Sequence, residues 1–202
     1  MRIAIIGAGR VGTTLGQRWA DLGHDVTYGV RDPSHDRHAH LKQRDDPASA
    51  VIGVDVVVIT LPWDATEAVV SGLPVGDAVV IDVTNPLAAN ARELARHPEL
   101  SGAELIAQWI RSPRVVKAFN TTGAANMARP DYPGGRPVML IAGDDTDAKS
   151  VVLGLATEIG FDAVDAGPLT AASDLEHLAM LWIRLAYALG QGPDMAFSLL
   201  RR

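Results

Sequence analysis

Gly7, Gly9 and Gly12 in the run GAGRVG are spaced to fold a main chain around a pyrophosphate. Gly7 permits a tight turn, Gly9 lets backbone approach a phosphate closely, and Gly12 lets the next helix pack against the preceding strand. Amide groups at the helix start, around Arg10 and Val11, would then face the anion, helped by the helix dipole. A carboxylate that grips an adenosine ribose 2′-hydroxyl belongs at the end of the following strand. Val30 stands there instead, followed by Arg31. A carboxylate would repel a 2′-phosphate, whereas an arginine pairs with it and lies flat on adenine, so NADP is favoured over NAD. The alternative is that Asp32 makes the ribose contact and Arg31 is a solvated loop residue.

Two more strand ends face the same crevice, because ligands bind beyond the carboxyl ends of parallel strands. ITLPWDAT brings Leu61, Pro62 and Trp63 there, and IDVTNPL brings Thr84, Asn85 and Pro86, as walls for the nicotinamide half. Ordinary strand-ending turns would leave the same pattern. His35, His38 and His40 crowd together, but spacings of three and two do not gather three imidazoles on one helix face. A solvated face near the adenine pocket fits them better than a metal site. Carbonyl or imine reduction would need a proton donor beside the nicotinamide, for which Lys117 and His177 are the candidates. Lys117 lies inside an apolar run and His177 off the apolar stripe of its helix, positions that suit a structural role for the first and a surface or interface role for the second better than catalysis.

The elements that position these residues follow from periodicity. Short apolar runs at 2–6, 25–29, 54–60, 78–83, 114–119, 138–142 and 161–164 alternate with helical patterns. This predicts an α/β fold: a Rossmann-type doubly wound, mostly parallel sheet with a small C-terminal helical region. The expected division is a nucleotide-binding domain over 1–165 and a helical region over 166–202 that carries acceptor-site and subunit contacts. Val11, Leu15, Trp19 and Leu22 form one stripe closed by Gly23. Asp144 or Asp145 caps a helix bearing Ala148, Val151, Val152, Leu155 and Ile159. A long last helix from about Thr170 to Leu189 shows a broad apolar face, and a short helix with Met195, Phe197, Leu199 and Leu200 follows.

A chain of 202 residues, 48% apolar with net charge −6, can bury one sizeable core. It has no basic run to hold nucleic acid or an anionic membrane. Cysteine is absent, which excludes disulfides and thiolate sites and fits a reducing cytoplasm. No apolar run reaches the length of a signal peptide core or a membrane span. The expectation is a cytoplasmic protein whose partner is a small-molecule redox acceptor.

With VVKAFNTTGAANM, AGDD and DAGPLTAASDLEHLAMLWIRLA added to the glycine turn, the chain resembles the NADP oxidoreductases dependent on coenzyme F420, essentially end to end. VKAFNT also resembles the reductase domain of the STEAP metalloreductases. The resemblance implies direct hydride exchange between NADP(H) and the deazaflavin of coenzyme F420, in a homodimer. It places the 2′-phosphate arginine at Arg31 and the nicotinamide-proximal, catalytic loop at Asn120, Thr121 and Thr122, continuing to Gly123 and Ala124. It further suggests Arg184, Arg201 and Arg202 for the anionic tail of the deazaflavin. The chain departs from the family at Val30, where serine is common, and at Asn120, where archaeal members carry histidine. Two other readings remain: NADPH reduction of ferric iron, flavin or a carbonyl or imine, and a non-catalytic NADPH sensor.

Overall fold

The computed structural model describes residues 1–89, 93–95 and 99–202. Chain order runs β1 (Arg2–Ile6), α1 (Arg10–Asp21), β2 (Asp25–Gly29), β3 (Arg44–Asp45), α2 (Pro47–Ala50), β4 (Val56–Ile59), α3 (Trp63–Val70) and β5 (Val79–Asp82). It continues with α4 (Gly102–Ile110), β6 (Val115–Lys117), α5 (Ala124–Ala128), β7 (Val138–Gly143), α6 (Thr146–Glu158), β8 (Asp162–Gly167) and α7 (Ala172–Ile183). The strands form one sheet in the order β3-β2-β1-β4-β5-β6-β7-β8. Every pair is parallel except β6 with β7, which is antiparallel.

The central strands are apolar at every position because both of their faces are covered. In β4, Val56 and Val58 join Leu15 and Trp19 of α1 and Val152 and Leu155 of α6 in one core. Val57 and Ile59 join Val70 of α3 and Ile106 and Ile110 of α4 in the other. Trp19 is wholly buried, donates its indole N–H to the Leu155 carbonyl at 3.3 Å and meets Phe119 edge-on. The sheet order makes β1 and β4 neighbours whose connections leave in opposite directions, so a crevice opens beyond their carboxyl ends.

All seven sequence-predicted strands are present, and the helix ends agree where a cap dictates them. Asp145 accepts from the Ala148 N–H and starts α6, while Gly23 and Gly160, both at positive φ, follow the ends of α1 and α6. Four expectations need correction. Leu22 is 50% exposed, because the helix ends one residue before it and Gly23 turns the chain away from the core. The long last helix divides into a 3-10 turn at Leu169–Ala171, α7, and a π-helical turn at Arg184–Ala188. Residues 193–202 form no helix, and Phe197 instead offers its carbonyl to the Val138 N–H beside β7. The solvated histidine face holds for His35 and His40, which are exposed, but not for His38, which is buried and accepts from Arg37 Nε. No helix among the described residues is long and apolar enough to cross a membrane.

Candidate functional site

The glycine turn leaves an open cradle of main chain at the start of α1. Gly7 sits at φ +106°, where a side chain is strained, and a Cβ there would lie 2.9 Å from the Thr60 carbonyl oxygen. A Cβ on Gly12 would collide with the Gly7 carbonyl, so the close approach of α1 to β1 requires glycine. A Cβ on Gly9 meets nothing within 4 Å, which leaves main chain facing open space. Gly9 is also the N-cap of α1 and offers no side-chain acceptor, so the N–H groups of Arg10, Val11 and Gly12 are left for a ligand. Thr60 locks the turn from the neighbouring strand, donating its hydroxyl to the carbonyls of Gly7 and Ile6.

Beyond β2 the side chains divide by role. Val30 is buried in the core and donates its N–H to the Asp45 carbonyl, so it presents no side chain to the crevice. Asp32 spends one carboxylate oxygen on its own loop, accepting from the Ser34 N–H at 3.0 Å and hydroxyl at 2.6 Å. These bonds hold its carboxyl below the usual carboxylate range. Arg31 is exposed and has no protein partner among the described residues. The guanidinium is therefore the group at this strand end that is free to meet a phosphate.

Beyond β4 and β5 a cavity of about 410 Å³ opens, lined by Val11, Thr60, Leu61, Pro62, Trp63, Asp64, Thr84 and Asn85 among others. Asn85, a wall residue, is clasped by the buried Asn120 behind it: Asn85 Nδ2 donates to the Asn120 carbonyl and Asn120 Nδ2 to Asn85 Oδ1, each at 3.0 Å. Asn120 Nδ2 also donates to the Leu175 carbonyl, tying the loop to α7. Two polar atoms at this place, Asn120 Oδ1 and Thr84 Oγ1, are buried without partners among the described residues. Orphaned atoms of this kind fit a bound amide and hydroxyl-rich ligand, because leaving them unpaired costs roughly 1–3 kcal/mol each. Phe119 helps to aim this loop, since the chain turns there through an unusual left-handed φ of 60°.

Thr121, Thr122, Gly123 and Ala124 do not line this cavity. Thr121 is buried, and Thr122 Oγ1 accepts from Asn126 Nδ2 at 2.9 Å. Gly123 is pressed against Trp182, which a Cβ would approach to 2.8 Å. Asn126 also donates to the Met195 carbonyl, so this loop fastens the C-terminal segment. Arg201 is paired with Asp162 at the start of the edge strand β8, away from the glycine turn.

Of the cluster directly behind Thr84, sequence reading named Lys117 alone and missed Asp82 and Glu176. Lys117 is completely buried, and its ammonium donates to Asp82 Oδ2 at 2.8 Å, the Thr84 carbonyl at 2.7 Å and Glu176 Oε1 at 2.9 Å. Asp82 and Glu176 are buried too. Asp82 Oδ1 accepts from the Thr84 N–H, and Glu176 Oε2 from the Gly102 N–H that opens α4. Burial works against the ammonium, but the charges and hydrogen bonds of Asp82 and Glu176 outweigh it and hold its pKa above the ordinary value. His177, in contrast, is exposed and bonded to the Ser173 carbonyl of its own helix. The available signal was a charge inside each of three apolar stretches: VVID, VVKAF and the stripe of α7.

The sequence pattern of the family described as NADP oxidoreductase coenzyme F420-dependent matches residues 2–86, from β1 to the loop that carries Asn85. The F420-dependent NADP reductase of Methanocaldococcus jannaschii is 30% identical over 208 residues, covering 92% of both chains. The chain belongs to the coenzyme F420-dependent NADP oxidoreductase family. A solved structure from Arthrobacter sp. FB24, put forward as an F420-dependent NADP reductase, superposes on this family member with a TM-score of 0.88 and 30% identity over the full length of both. Metalloreductase STEAP3 of Rattus norvegicus is 28% identical over 89% of this chain, which spans only 36% of that protein's length. Membership makes the chain an NADP-dependent oxidoreductase by family, and both relatives align well past the glycine turn.

Proposed function

We propose that this oxidoreductase transfers hydride between NADP(H) and the deazaflavin ring of coenzyme F420. The observation that supports this most is that the buried ammonium behind the cavity, that of Lys117, presents no proton to it. Lys117, the one cation buried behind the cavity among the described residues, has all three N–H groups committed to Asp82, Thr84 and Glu176. The only titratable side chain among the described residues of the cavity wall is Asp64, an exposed carboxylate. Reduction of a carbonyl needs an acid within reach of the oxygen. Ring-to-ring transfer depends instead on approach and orientation, with reacting atoms about 3 to 3.5 Å apart.

In this reading the first-turn amides of α1 and the Arg31 guanidinium hold the phosphates, with Arg10 beside them. Leu61, Pro62 and Trp63 wall the pyridine ring, while Thr84, Asn85 and Asn120 meet its ribose and carboxamide. Bound NADPH supplies the hydride from its nicotinamide. Thr121, Thr122, Gly123 and Ala124 support the cavity floor from behind. The C-terminal region from 166 onward contributes through α7, whose residues Leu175 and Glu176 reach Asn120 and Lys117.

The discriminating assay mixes purified protein, NADPH and oxidised coenzyme F420 and follows loss of the coenzyme's visible absorbance. Rapid bleaching is expected. An unchanged spectrum together with reduction of ferric chelates would favour the second reading, a reductase of another acceptor such as a metal ion, which the similarity to the metalloreductase STEAP3 supports.

The same reading includes a cytoplasmic homodimer. Leu181, Tyr187 and Leu189 are 45%, 65% and 61% exposed on α7 and the turns that follow it, an apolar face suited to a second copy. Sedimentation should give twice the monomer mass, and the Leu181→Asp, Leu189→Asp double variant should sediment as a monomer.

A further inference from the structure

Asp82, Lys117 and Glu176 carry two negative charges and one positive, all at most 3% exposed. The cluster therefore holds a formal net charge of −1 that is largely withdrawn from water, Glu176 alone touching the rim of a neighbouring cavity. It is coupled to the cavity wall through Thr84, which donates its N–H to Asp82 and accepts from Lys117 through its carbonyl. Thr84 and Asn85 are themselves wall residues. The cations Arg10 and Arg31 belong to the other end of the crevice: Arg31 follows β2, three strand spacings or roughly 14 Å from β5.

A fixed negative charge behind this wall distinguishes the two oxidation states of a pyridine nucleotide, because the oxidised ring is a cation and the reduced ring is neutral. We propose that the Asp82–Lys117–Glu176 cluster makes the site bind the cationic nicotinamide of NADP+ more tightly than the neutral ring of NADPH, and so biases the bound nucleotide toward giving up hydride. A group that binds the product state better than the starting state favours the reaction by that difference. The proposal rests on the pyridine ring lying in the cavity beyond β5, as read above, and not on the identity of the acceptor. Asp82 and Glu176 are positioning residues in this scheme, acting through the field they set.

The test is a set of binding titrations with NADP+, NADPH and 2′,5′-ADP, which has the phosphorylated adenosine but no pyridine ring. Asp82→Asn and Glu176→Gln each bring the cluster to neutrality from a different element. Each should lower the ratio of NADP+ to NADPH affinity about three- to tenfold, the size expected for a partly screened unit charge across on the order of 10 Å. Affinity for 2′,5′-ADP should stay unchanged. A folded variant that weakens both nucleotides equally would show a purely structural role and overturn the proposal. Should neither variant fold, the wild-type titrations decide: NADP+ should bind at least as tightly as NADPH, and a preference for NADPH above tenfold refutes the field. A wild-type protein that binds none of the three overturns the cofactor reading and the proposal with it. A failure to reduce coenzyme F420 leaves the titrations intact.

Discussion

Lys117→Met should lower the unfolding free energy by about 3–5 kcal/mol, the cost of removing one partner from a buried ion pair. The methionine fills most of the space, so the loss is electrostatic: two buried carboxylates, Asp82 and Glu176, lose the ammonium that lies 2.8 and 2.9 Å from them. In the variant the two uncompensated buried carboxylates repel, and the folded state gains by keeping a proton on one of them. A group shifted upward contributes stability below its unfolded pKa and loses it as pH rises through the folded one. Chemical denaturation of the variant should therefore show a midpoint that climbs as pH falls from 8 toward 5. In the wild type the raised pKa belongs to Lys117, so its contribution is constant through neutral pH and lost only in strongly alkaline solution. Adding Glu176→Gln to the variant should recover part of the loss and flatten its pH dependence. A single variant as stable as wild type at pH 8 would mean that the cluster does not hold β5, β6 and α7 together.

The same three residues show where sequence reading stops. Lys117, Asp82 and Glu176 are 35 and 59 positions apart along the chain, and no periodic pattern pairs them. Each taken alone suits a surface or strand-end position, and only the packing of α7 against the end of the sheet brings the charges into contact. The glycine turn was legible because its constraints are local: the turn, the strand before it and the helix after it lie within one short stretch. The central strands were legible because a strand buried on both faces is apolar throughout. The strand β3 was not, since Arg44 and Asp45 pair with β2 through main chain alone and leave no side-chain signature. The C-terminal segment misled because Met195 and Phe197 are apolar at a spacing that tolerates several conformations. The hydrogen bonds of Asn126 and Trp182 to the Met195 carbonyl decide its path. The glycines and the exposed arginine after β2 were thus accessible to pattern, whereas the Asn85–Asn120 clasp and the ions behind it depend on loops meeting from distant strands.

Arg31→Ala should raise the Michaelis constant for NADPH by about 10- to 100-fold and that for NADH by less than about twofold. A charge-assisted hydrogen bond to an ionised group contributes roughly 1.5–3 kcal/mol, which converts to that range. The asymmetry arises because NADH has no 2′-phosphate to lose. Arg31 is exposed, so the substitution removes little packing and stability should be unaffected. The wild-type preference for NADPH should also weaken with salt, because a solvent-facing pair is screened. Asp32 sharpens the comparison: its carboxylate already accepts two bonds from Ser34, and Asp32→Ala should disturb the loop for both nucleotides alike. Steady-state kinetics with each nucleotide, read as a ratio for each variant, separates the two residues. Equal losses for NADPH and NADH on Arg31→Ala would show that the guanidinium stacks on adenine without gripping the phosphate. The choice of NADP over NAD would then have to come from elsewhere along the crevice.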